Sequence, residues 1–172
     1  MRAFNIASSA AIVAFGLAGC AYDVAGILPV AAFPSTGEVI LVPAAQPGPE
    51  QTLVEKAKVH FRNGEYGLAE QFFREAVEQR KQNVEAWLGL AASYDHLKRF
   101  EEADRAYDVL EKMVGNTSIV LNNLGYHYML KGEFGSAEHA LLSAQLKDPG
   151  NPLICANLAL LSDWKAAAGR SG

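Results

Sequence analysis

The chain has 172 residues, half of them hydrophobic and a fifth charged, with a formal net charge of −4 at pH 7. That length suffices for one domain of ordinary size with an apolar core of its own. A mildly acidic chain without a basic stripe argues against nucleic acid as a partner.

Residues 1–19 read as a signal segment. Arg2 is the lone charge, an apolar run follows through Ile6 and Ala10 to Phe15, and Gly16, Ala18 and Gly19 supply small residues at the end. Asn5, Ser8 and Ser9 interrupt the run, which falls short of the roughly 20 apolar residues a bilayer span needs. Leu17-Ala18-Gly19-Cys20 resembles a bacterial lipobox. The resemblance implies cleavage before Cys20, acylation of its thiol and new amine, and a membrane anchor of several fatty chains. An ordinary signal peptide with an incidental cysteine is the alternative. Ala21 stands where inner-membrane lipoproteins of enteric type carry aspartate, which implies the outer membrane, periplasmic face. With Cys20 acylated, Cys155 has no mate, so no disulfide is expected and the fold must rest on its core.

The lipidated N-terminus and linker, 20–49, precede the regular part. The stretch 21–50 holds five prolines and three glycines, which no helix can run through. Val39 to Val42 could be a short extended strand, and the segment reads either as a spacer or as an element docking on the domain or a partner.

From Glu50 the pattern becomes helical and repeats with an offset of 34. Trp87, Leu90, Ala91 and Tyr94 stand over Leu121, Leu124, Gly125 and Tyr128. Ala69, Ala103 and Ala137 align, as do Phe73, Tyr107 and Leu141, then Ala76, Leu110 and Ala144. This resembles the tetratricopeptide repeat. The resemblance implies an all-α superhelix of three helix-turn-helix repeats, 50–83, 84–117 and 118–151, closed by a capping helix over 152–168. Within the first helix of repeat two, positions 87, 90, 91 and 94 form one apolar stripe at helical spacing. Small residues at 91, 103, 125 and 137 predict close helix contacts. Gly64 and Gly132 fall at turns that need a positive φ, a place Lys98 fills in repeat two. Asn151 and Pro152 predict the cap and first position of the last helix. Leu53, Lys56 and His60 depart from the repeat pattern, so the first helix of repeat one is expected to be frayed.

No residue set points to chemistry. His60, His96, His127 and His139 lack metal-ligand spacing, and Gly135-Ser136 lacks the frame of a nucleophile elbow. No enzyme activity, metal, cofactor or small-molecule substrate is expected. Cys155 occupies a tryptophan place and reads as a buried apolar thiol.

A binding groove is expected along the first helices, where repeat positions 2, 5, 9 and 12 point roughly 130° away from the core stripe. These are Glu85, Leu88, Ala92 and Asp95, then Ile119, Asn122, Tyr126 and Met129, then Leu153, Ala156, Leu160 and Asp163. The core of the groove is expected at Leu88, Ala92, Asp95, Asn122, Tyr126, Met129 and Leu160, holding an amphipathic or extended peptide. A lipobox before few repeats resembles the lipoproteins of tight-adherence (Flp-type) pilus assembly. That implies an interaction scaffold whose partner is an envelope protein such as a secretin. The alternative is a general adaptor recruiting peptidoglycan hydrolases or proteases.

Overall fold

The computed structural model describes residues 48–170. The expected signal segment 1–19, Cys20 and all but the last two residues of the linker lie outside them. Seven helices follow in order: α1 (Pro49–Arg62), α2 (Tyr66–Gln79), α3 (Val84–His96), α4 (Phe100–Val114), α5 (Ser118–Lys131), α6 (Phe134–Lys147) and α7 (Pro152–Gly169). Among the described residues there is no strand, and no helix is long and apolar enough to cross a membrane.

Three hairpins, α1/α2, α3/α4 and α5/α6, are built by one turn used three times. Gly64, Lys98 and Gly132 take φ of 76°, 58° and 78°, and the next amide reaches back: Glu65 N to His60 O, Arg99 N to Tyr94 O, Glu133 N to Tyr128 O. This left-handed closure satisfies carbonyls that a helix end leaves orphaned. Between hairpins the start signal also recurs at the predicted interval. The side chains of Asn83, Thr117 and Asn151 accept from the amides of Ala86, Val120 and Leu153 respectively.

The second helix of each pair contributes three aligned residues to the core. Ala69, Phe73 and Ala76, then Ala103, Tyr107 and Leu110, then Ala137, Leu141 and Ala144 are all buried. Gly89 admits the Phe73 ring and Gly125 admits Leu141 at places where a Cβ would collide. The expectation that α1 is frayed is corrected. Leu53, Val54, Ala57 and Phe61 bury one face of a complete helix, and the His60 ring stacks on Phe72 at 5.2 Å, so an aromatic surface still fills the tyrosine place. The cap helix α7 seals the end of the array through Ile154, Asn157 and Leu161.

Candidate functional site

The first helices α1, α3, α5 and α7 form a row, each touching the next. This row carries the expected groove residues, and the structure corrects where they point. Leu88, Ala92, Asp95, Asn122, Tyr126 and Met129 are buried, at 1–7% exposure, and Leu160 is half-buried. The reason is the number of neighbours. α3 is packed by α1, α2, α4 and α5, and α5 by α3, α4, α6 and α7. A helix enclosed on three sides has no polar face left to expose. Leu88 to Asp95 and Val120 to His127 are accordingly buried without a break.

One polar tie crosses each junction of the row. Lys58 of α1 donates to Glu85 of α3 at 2.9 Å. Burial works against the Lys58 charge, but the bonds to Glu85 and Glu55 outweigh it and hold its pKa raised. His127 of α5 lies 2.5 Å from Asp95 of α3, whose other oxygen accepts from the Tyr107 hydroxyl at 2.9 Å. Burial, and then the Asp95 charge, keep Tyr107 protonated far into alkali. Asn157 of α7 donates to the Asn122 carbonyl of α5 at 3.0 Å. The Asn122 amide nitrogen is buried without a partner and borders a 10 Å³ cavity, the size of about one water.

None of these ties is apparent from sequence spacing alone. His96 turns away from its neighbour and stacks on Tyr66 at 4.1 Å, with the Tyr126 ring 6.1 Å away. Burial lowers its pKa against a smaller opposing effect of Asp95, which favours the neutral ring. Among the described residues no cluster of three or more potential ligands could hold a metal. Cys155 is buried, as expected of an apolar place in the repeat.

What the row leaves accessible is narrow and graded. The Lys58–Glu85 pair lies near α1, while half-buried Ile119, Leu153, Ala156 and Leu160 make the α5–α7 end apolar, with Asp163 exposed beside it. Such a strip can hold the side of a helix or an extended segment.

A tetratricopeptide-repeat family model matches residues 60–120. The chain has the tetratricopeptide-repeat fold. The array is similar to the first tetratricopeptide-repeat domain of human RPAP3, at 18% identity and TM-score 0.63, over 73% of this chain and 99% of that one. It is also similar to the type III secretion translocator chaperone SycD of Yersinia enterocolitica, at 20% identity and TM-score 0.58, over 71% and 92%. A third similar domain, from Arabidopsis OM64, shares 16% identity at TM-score 0.59, over 66% and 94%. At these identities the likeness is one of fold. No curated protein matches the chain in sequence. Tetratricopeptide-repeat domains are typically non-catalytic interaction modules.

Proposed function

We propose that the chain is an interaction scaffold tethered by lipid on Cys20 to the periplasmic face of the outer membrane. There it holds an envelope protein of a pilus or secretion assembly along the first-helix row. The observation that carries the anchor is Leu17-Ala18-Gly19-Cys20, closing an apolar run ahead of a repeat array. The apolar strip of Ile119, Leu153 and Ala156 supports the choice of a helix or strand as the thing held.

Two measurements test this reading. Cells making the parent should incorporate labelled palmitate into the protein, and Cys20→Ser should abolish it. A parent that takes up no label, with its two cysteines joined to each other as judged by mobility on reduction, refutes the anchor, because an acylated thiol cannot also form a disulfide. For the surface, Leu153→Glu with Ala156→Glu should weaken recovery of a secretin partner by about thirtyfold, roughly 2 kcal/mol, with circular dichroism unchanged. Full recovery by that variant removes the strip from the proposal.

A further inference from the structure

His127 sits where three helices meet. Its side chain is fully buried, with Nδ1 2.5 Å from Oδ1 of Asp95 on α3 and Nε2 2.8 Å from Oδ1 of Asp104 on α4. The rings of Phe100, Tyr107 and Tyr128 surround it at 5.3–6.0 Å. Each element packed against it brings a titratable group: Asp95 from α3, Asp104 and Tyr107 from α4, and Tyr128 and Lys131 from α5 itself. Lys131 lies 3.3 Å from Asp104 and balances part of its charge.

A neutral imidazole donates from one nitrogen and presents a lone pair on the other; only the imidazolium donates from both. Here both nitrogens face a carboxylate oxygen at hydrogen-bond distance. Losing the proton would set a lone pair against a carboxylate, in a place sealed from water where the repulsion is weakly screened. Asp104 is half exposed and can turn outward, whereas Asp95 is 1% exposed and already holds Tyr107. The strain of deprotonation therefore falls on the joint between the α3/α4 hairpin and α5.

We propose that His127 is a pH-sensitive clasp between the second and third repeats, closed as the imidazolium bridging Asp95 and Asp104 and loosened when that proton is lost. Burial taken alone would lower its pKa, but the bonds and charges of Asp95 and Asp104 outweigh that and hold it raised. The sign follows from linkage. With the folded value above the unfolded one of about 6.5, the clasp's contribution is complete below pH 6.5 and is lost as pH rises through the raised value. The array is thus tightest in mild acid and gives way on the alkaline side. This holds whatever the row binds.

The test uses the full chain in detergent. The His127 ring resonance, assigned by its loss in His127→Gln, is followed by NMR from pH 5.5 to 9, and urea unfolding is measured over the same range. The expected midpoint lies above 6.5, and the parent's unfolding constant rises about tenfold for each unit of that excess. Asp104→Asn removes the partly exposed carboxylate without opening the core. It should move the midpoint down and flatten the stability profile even if His127→Gln does not fold. A midpoint at or below 6.5 in the parent, or one unmoved in Asp104→Asn, overturns the clasp.

Discussion

The contact between α5 and α6 can be challenged with one methyl group. A Cβ on Gly125 would stand 2.5 Å from Cγ and 2.6 Å from Cδ2 of Leu141, against an ordinary carbon separation of about 3.5–4.0 Å. Cγ is the branch point of a fully buried side chain packed with Met129, Ala137 and Leu161, so more than a flexible tip must move. The Ala137 carbonyl oxygen, 3.4 Å from the same point, keeps α6 from sliding inward. Overpacking of this kind costs about 1–3 kcal/mol, while alanine for glycine in a helix interior returns about 1 kcal/mol. Gly125→Ala should therefore destabilise by about 1 kcal/mol net in urea unfolding followed by circular dichroism. Leu141→Ala alone should cost about 2–5 kcal/mol through the cavity it leaves. In that background the new methyl has room, only the helical gain remains, and Gly125→Ala should stabilise by about 1 kcal/mol. The reversal amounts to a coupling of about 2 kcal/mol. Gly135→Ala, with nothing within 4 Å of its Cβ, serves as the control and should not destabilise. Effects of Gly125→Ala and Leu141→Ala that add to within about 0.5 kcal/mol would refute the contact.

Three further substitutions probe the repeated punctuation. Lys98→Gly should raise the denaturation midpoint by the equivalent of about 0.5–1 kcal/mol, because lysine holds a left-handed φ of 58° that costs an L-residue roughly 1–2 kcal/mol. Gly132→Ala, at the equivalent turn with open space around its Cβ, should lose about 1 kcal/mol for backbone reasons alone. Asn151→Ala removes the acceptor for the Leu153 amide and should cost about 1 kcal/mol, with hydrogen exchange rising first at the start of α7.

The array was legible because its determinants are local or strictly periodic. Ala69, Ala103 and Ala137 recur at one interval, and the turn at Lys98 could be placed from the glycines at 64 and 132. The accessible face was not legible. A helical wheel drawn for α3 alone puts Leu88 and Asp95 opposite the core stripe, but α1 and α5 close over that side. The ties were missed because they join residues 27, 32 and 35 apart, scattered around the repeat interval and unlike in chemistry. Complementary polar residues roughly one repeat apart, on helices already known to be neighbours, are the signal that could have found them.

Those unlike ties make the modules impossible to exchange. Within the repeat frame, Lys58 at position 9 meets Glu85 at position 2, Asp95 at position 12 meets His127 at position 10, and Asn122 at position 5 meets Asn157 at position 6. Were the second unit copied in tandem, its Asp95 would face Ser93 of the copy and the copy's Glu85 would face Ala92, leaving both acids bereft of their cations and Asp95 so in a place sealed from water. The seams work as keyed joints, each accepting one successor. Lengthening this rod by duplicating a segment, the usual way such arrays grow, would carry a built-in penalty at the new seam.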